Sequence, residues 1–206
     1  MDKRGCYIVG AGERIEHPSI PGEGGLLIAA DGGYCWLREL KLVPDIVVGD
    51  FDSMGEAPKH PNMVRLPKEK DETDMMAAIR LGRERGMDVF HIYGGTGGRF
   101  DHTVANLQIL SWLSRRGAQG YLYGRGWTAT AITDGTLTFP AERRGMISVF
   151  AQTDTAEGVF LEGLKYPLAD AVLANDFALG VSNEFTGAAG RITVGKGTLL
   201  VVWEEA

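Results

Sequence analysis

The chain has 206 residues, 44% of them hydrophobic and 23% charged, with a formal net charge of −6. That length buries one sizeable core or two small ones, and the composition excludes a disordered chain. The acidic balance argues against non-specific nucleic-acid binding, which needs a basic face, and leaves any anionic ligand to be met by local positive groups or by metal.

The leading residues Met1 to Gly5 run straight into a strand-like segment, with no apolar h-region and cleavage site. No apolar stretch approaches the roughly 20 residues that span a bilayer, so a cytoplasmic protein is the expectation. Cys6-Tyr7-Ile8-Val9 reads as a buried strand stopping at Gly10, and 26–30 as a second stopping at Asp31-Gly32-Gly33. Residues 34–40 form a short helix, and 45–48 a third strand stopping at Gly49-Asp50. The spacing over 71–85 predicts a helix with Met75, Ala78, Ile79 and Gly82 on one stripe. A strand at 89–93 stops at Gly94-Gly95, and 102–116 is a helix apolar over much of its surface, hence well buried. Another strand covers 120–123. Strands alternating with helices predict a parallel sheet covered on both faces. Cys6 and Cys35 sit beside apolar residues at a spacing that fits no metal site, so both are expected to be buried free thiols.

The pattern changes near Gly124-Arg125-Gly126. Beyond it short strand-like runs dominate, at 128–132, 137–139, 146–150, 159–161, 191–194 and 199–203, punctuated by Gly, Pro, Asn and Asp. This predicts a small antiparallel sandwich or barrel. The division falls at 1–125 and 126–206.

The special residues of the first part follow strands directly. In an open parallel sheet, ligands bind outside the carboxyl ends of the strands, so the loops at Asp31-Gly32-Gly33, Gly49 to Ser53 and Gly94 to Arg99 are expected to converge on one cleft. Asp50 and Asp52 flank Phe51. In an extended segment both would face the same way and need a cation between them, and Mg²⁺ prefers such hard oxygen ligands. A turn through Asp-Phe-Asp-Ser is the competing reading. Lys68 to Asp74 opens the second predicted helix, with Asp71 as a plausible N-cap and Asp71 and Asp74 on one face. In Gly94-Gly95-Thr96-Gly97-Gly98-Arg99-Phe100-Asp101-His102, four glycines in five positions allow backbone N–H groups to approach an anion. The following helix adds a positive dipole end, Arg99 can fork onto phosphate, and Asp101 can join a metal set. Asn106 lies one turn after His102. Gly10-Ala11-Gly12 resembles a dinucleotide fingerprint, but Ile15 stands where its third glycine belongs. No Walker A, G-x-S-x-G or zinc motif occurs.

These residues together resemble the thiamine pyrophosphokinase family. The matching segments are Ala30 to Gly33, Pro44 to Ser53, Lys70 to Asp74 and Gly98 to His102 with Asn106. In the second part they are Gly163-Leu164-Lys165-Tyr166-Pro167-Leu168 and Gly180-Val181-Ser182-Asn183-Glu184. The match is ordered and covers nearly the whole chain. The resemblance implies an N-terminal three-layer α/β/α domain with a mostly parallel sheet, followed by a C-terminal antiparallel β-sandwich. It implies transfer of the diphosphate of ATP to the hydroxyl of thiamine, giving thiamine diphosphate and AMP, by a homodimer with its active site at the subunit interface. Carried over, Asp50, Asp52, Asp71, Asp74 and Asp101 form the Mg²⁺ and catalytic group. Asp31, Gly32, Lys70, Thr73, Gly98, Arg99, His102 and Asn106 line the ATP site, and Ser182 and Asn183 reach thiamine. Asp71 or Asp101 takes the hydroxyl proton. Two rivals are a related pyrophosphokinase or nucleotide hydrolase with another acceptor, and a non-catalytic nucleotide-binding module.

Overall fold

A computed structural model describes residues 5–16, 18–20, 24–52 and 58–205. Ser53 of the Asp50 turn and the leading residues 1–4 lie outside the described residues. The chain divides into two compact units, Met1–Asn106 with Leu122–Arg125, and Leu107–Tyr121 with Gly126–Ala206. The division cuts helix α3 (Phe100–Ser114) and strand β6 (Gln119–Gly124).

In the first unit, β1 (Gly5–Val9), β2 (Leu26–Ala30), β3 (Ile46–Gly49), β4 (Met63–Arg65) and β5 (Val89–Tyr93) form a parallel array in the order β5-β1-β2-β3-β4. Side chains alternate across it. Val9, Ala29, Val47 and Tyr93 pack with Trp36 and Leu37 of α1 (Gly33–Glu39). On the other face α2 (Asp74–Glu84) lies so close that a Cβ at Gly82 would stand 2.6 Å from the Phe90 ring and 3.0 Å from Cys6 Sγ. A helix thus covers each face, as the alternating pattern predicts, and the stripe Met75, Ala78, Ile79, Gly82 is buried throughout. Burial pushes the Cys6 thiol up to about 12. Cys35, expected to be buried as well, is only half-buried: the buried positions of α1 are Gly33, Trp36 and Leu37.

The expected helix at 71–85 starts three residues later. Thr73 is its N-cap, with Oγ1 accepting the Met76 N–H at 3.2 Å. Asp71 therefore neither caps the helix nor shares a helical face with Asp74. Thr73 takes the cap, and the polar run before it has no apolar side chain to bury. Strand β4 was not foreseen: its three residues leave only Val64 half-buried.

The second unit holds two antiparallel sheets. One has the order β12 (Gly180–Glu184), β9 (Met146–Ala151), β14 (Thr198–Glu204), β7 (Trp127–Thr133). The other runs β11 (Leu168–Ala174), β10 (Thr155–Glu162), β13 (Gly190–Thr193), β8 (Thr136–Phe139). Ile147, Val149, Leu199, Val201 and Trp203 from the first sheet share one core with Phe139, Val159, Leu161 and Ile192 from the second. The choice left open between sandwich and barrel resolves to a sandwich. Strands β11 and β12 escaped the sequence pattern because Leu173 is the one buried position of the former and the latter is Gly-Val-Ser-Asn-Glu. The expected helix at 102–116 begins two residues earlier and is less buried than predicted: Phe100 and Val104 are exposed. Among the described residues no helix is long and apolar enough to cross a membrane.

Candidate active site

All five parallel strands of the first unit end at one rim. Chain order reverses between β1, whose successors β2 to β4 lie on one side, and β5 on the other. Such a switch point opens a crevice between the outgoing loops. Here it becomes a cleft of about 740 Å³, lined by residues that follow four strands directly and by the Lys68–Met75 segment after β4. The sequence foresaw three of these loops.

The Asp50 turn is not extended. Phe51 adopts φ +60° and its ring is buried with Trp36 and Leu37. A left-handed conformation at a bulky residue costs on the order of 1–3 kcal/mol, which the surrounding packing must offset. The Asp52 N–H donates to Asp50 Oδ1 at 3.2 Å. Both carboxylates line the cleft as expected, by way of a buried ring and a left-handed turn rather than by strand alternation. Asp31 also has a positive φ, +47°.

The floor of the cleft is acidic. Asp31, Asp50 and Asp74 each present a carboxylate oxygen, and these atoms lie within 4.8 Å of one another. Lys70 Nζ stands 3.0 Å from Asp50 Oδ2 and 3.0 Å from Asp74 Oδ1. It also donates to the Pro67 carbonyl at 3.3 Å. The two carboxylates respond differently. Hydrogen bonds from Lys70 and from the Asp52 backbone hold Asp50 below the usual carboxylate range. Burial, aided by the charges of Asp50 and Asp31, raises Asp74 despite Lys70. Burial also works against the Lys70 ammonium, but its bonds to Asp50 and Asp74 outweigh that and its pKa lies above the ordinary lysine value. Lys68 pairs with Asp52 at 3.0 Å on the exposed side.

The glycine-rich loop forms the opposite wall. Gly94, Gly97 and Gly98 have φ between +61° and +75°, which glycine alone adopts without strain. The buried Asn106 amide donates to the Gly95 carbonyl at 2.6 Å and pins the loop. Gly10-Ala11-Gly12 is no dinucleotide fingerprint, since among the described residues no helix lies between it and β2. It zips onto the glycine loop instead: Gly10 N–H donates to the Tyr93 carbonyl and Gly12 N–H to the Gly94 carbonyl, both at 2.8 Å. A side chain at Gly12 would collide with the Gly94 and Thr96 carbonyls. This segment lines the cleft and was missed as part of the site. Its signal was present in the two glycines after the first strand.

The structure brings Asp31, Asp50, Asp52, Lys70, Thr73, Asp74, Gly98, Arg99, His102 and Asn106 to the cleft. It adds Glu72, Thr96 and Lys68. Gly32, Asp71 and Asp101 are not among the lining residues. Asp71 is exposed just before α2. Asp101 is exposed in the first turn of α3, where Arg99 Nη2 holds it at 2.6 Å and keeps its carboxyl below the usual range. Five carboxylates line the cleft against three fixed cations, Lys68, Lys70 and Arg99. A polyphosphate entering it needs added positive charge, and clustered carboxylates are the donor set for Mg²⁺. The residues fit a divalent cation, with Asp31 joining Asp50 and Asp74, whereas Asp52, Asp71 and Asp101 are outside that triplet.

In the second unit, 163–168 and 180–184 lie side by side. Leu164 bridges to Phe185, and Lys165 N–H donates to the Glu184 carbonyl at 3.0 Å. Asn183 is buried and fully engaged: Oδ1 accepts from Tyr166 N and Glu184 N, both at 2.9 Å, and Nδ2 donates to the Tyr166 carbonyl at 2.7 Å. Ser182 is exposed, with φ +57°. Phe185 points into the sandwich core, edge-on to Phe139 at 5.0 Å.

Two family models match the chain. "Thiamin pyrophosphokinase, catalytic domain" matches residues 23–122, and "Thiamin pyrophosphokinase, vitamin B1 binding domain" matches 136–199. The thiamine pyrophosphokinase of Bacillus subtilis is 28% identical over 205 residues, covering 95% of this chain and 96% of that protein. Its crystal structure superposes with a TM-score of 0.84 at 27% identity, over 98% of this chain and 99% of that one. The crystal structure of thiamin pyrophosphokinase from Geobacillus thermodenitrificans gives 0.82 at 28% identity, with 98% of each chain covered.

Proposed function

The chain belongs to the thiamin pyrophosphokinase family, and from that premise we propose how its residues divide the work. The activity of the family is the transfer of the diphosphate of ATP to the hydroxyl of thiamine. The hydroxyl oxygen attacks the β-phosphorus, AMP leaves, and the hydroxyl proton is lost. ATP is the co-substrate. Residues 1–125 hold the nucleotide, and 126–206 carry thiamine-binding residues.

The observation that carries the site assignment is the acidic floor, where three carboxylates, two following strands β2 and β3 and one opening α2, lie within 4.8 Å of one another in a cleft with more carboxylates than cations. Asp31, Asp50 and Asp74 would hold Mg²⁺, and Asp52 lines the same cleft. When bound, Mg²⁺ supplies charge neutralisation for the phosphates and polarises the transferred group. Lys70 and Lys68 neutralise phosphate oxygens, Arg99 forks onto them, and the glycine-loop N–H groups, with Gly98 among them, orient the chain of phosphates. Thr73 and Asn106 fix the helix start and the loop. Gly32 and His102 flank the nucleotide. Asp71 and Asp101, exposed at the margin, act on the acceptor side, where one of them takes the thiamine hydroxyl proton. Ser182 reaches thiamine, and Asn183 holds the Tyr166 segment beside it. A homodimer with thiamine between subunits follows from the resemblance.

Product analysis tests this reading. With ATP, thiamine and Mg²⁺ the protein should release AMP and thiamine diphosphate in equal amounts, and none without Mg²⁺. ADP or free phosphate as the nucleotide-derived product would favour single-phosphate transfer or a hydrolase, and AMP without thiamine diphosphate a different acceptor. Binding of both substrates with no AMP would favour the non-catalytic module.

A further inference from the structure

Lys70 does more in this geometry than await a phosphate. Its side chain is largely buried, and its ammonium lies at the same 3.0 Å from Asp50 and from Asp74, two of the three residues whose oxygens form the compact acidic group. Lys68, two residues earlier, makes an equally short pair with Asp52, but that pair is exposed and Asp52 is outside the group. An ammonium takes carboxylate oxygens at about 2.7–2.9 Å and Mg²⁺ at about 2.0–2.1 Å, so the two cannot share one position between the same oxygens. The Lys70 ammonium sits between two of these carboxylates and occupies the space a metal ion would need.

We propose that Lys70 is the resident counter-ion of the Asp31–Asp50–Asp74 group: its ammonium holds the cation position until a polyphosphate draws it away, so a divalent cation enters with the nucleotide and not ahead of it. This rests on the metal-binding role given to those aspartates above. Lys70 thereby ties Asp50 to Asp74 before the nucleotide arrives. It also links metal uptake to nucleotide binding, because the group that leaves the carboxylates is the group that meets the phosphate. The Lys68 pair lacks this coupling.

The test is Mn²⁺ binding without nucleotide, followed by electron paramagnetic resonance, for the wild-type protein, Lys70→Met and Lys68→Met. Both substitutions remove one positive charge near the cleft. Lys70→Met should bind Mn²⁺ at least tenfold more tightly than wild type, and Lys68→Met should stay within threefold. Equal affinities in all three proteins, or equal gains in both variants, would overturn the proposal while leaving the metal site intact. No Mn²⁺ bound by Lys70→Met, even with a non-hydrolysable ATP analogue, would remove the metal-site reading as well. A measurement on the unaltered chain covers the case in which Lys70→Met does not fold. Mg²⁺ alone should leave the wild-type Tm unchanged, and Mg²⁺ with the analogue should raise it beyond the analogue alone. A rise with Mg²⁺ alone as large as that with both would count against Lys70 as placeholder.

Discussion

The floor and the margin of the cleft use the same residue types in opposite ways. On the floor, Asp31 and Asp50 follow β2 and β3 and Asp74 opens α2, up to 43 positions apart; all three are partly buried, and Lys70 ties Asp50 to Asp74. At the margin, Asp71 and Asp101 are exposed, and Asp101 is held by a neighbour two residues away. A short motif therefore mixes both classes: Asp71 and Asp74 are three residues apart, yet only Asp74 reaches the floor. Convergence in space selects the carboxylates of the floor, and proximity within a motif does not.

The largest expected effect separates the two regions directly. Asp50→Asn and Asp74→Asn should each lower kcat by about 10³-fold or more, roughly 4 kcal/mol of transition-state stabilisation, and weaken Mn²⁺ binding in the presence of nucleotide. Asp71→Asn or Asp101→Asn should cost about 10²-fold in kcat, the scale of a lost general base, with Mn²⁺ and ATP-analogue affinities unchanged. Margin variants that lose metal as floor variants do would erase the distinction.

Next in size is the wall. Asn106→Ala removes the donor to the Gly95 carbonyl, leaving a buried acceptor unpaired at a cost of about 1–3 kcal/mol in stability. It should lower Tm and raise KM for ATP. A Tm drop with KM unaltered would mean that the loop keeps its shape without the pin.

The smallest effect distinguishes Asp74 from an ordinary exposed acid. Its folded-state pKa is raised, first by burial, so the folded chain binds that proton more readily than the unfolded chain. The stability it contributes is present at low pH and falls as pH rises through the ordinary carboxylate value and the raised one. Asp74→Asn should therefore match wild type in Tm near about pH 3 and equal or exceed it at neutral pH, while inactive. Asp50 has the opposite sign: its lowered pKa means that the stability from its Lys70 bonds is lost as pH falls below the usual range.

Much of this was legible in the sequence. The apolar runs of the first unit located β1, β2, β3 and β5, because strands buried on both faces have no polar alternation to confuse them. The stripe on α2 was readable because it faces the sheet. What failed has common physical roots. Strands β4, β11 and β12 fully bury one large apolar side chain among them, Leu173, so burial leaves little trace in residue type. The start of α2 hinged on which of several polar residues would cap it, a choice settled by Thr73. Asp31 was assigned to the nucleotide alone because its closeness to Asp50 and Asp74 is a tertiary fact. The sequence leaves an extended segment and a turn open at Asp50-Phe51-Asp52; the turn is the outcome, set by the buried ring of Phe51, and a left-handed φ at phenylalanine has no sequence signature.

The account stands on the location of the cation. Crystals grown with Mn²⁺, a non-hydrolysable ATP analogue and thiamine should show an anomalous peak within about 2.0–2.3 Å of oxygens from Asp31, Asp50 and Asp74, with Lys70 turned to phosphate. A peak at Asp71 or Asp101, with Lys70 still bridging Asp50 and Asp74, would contradict it.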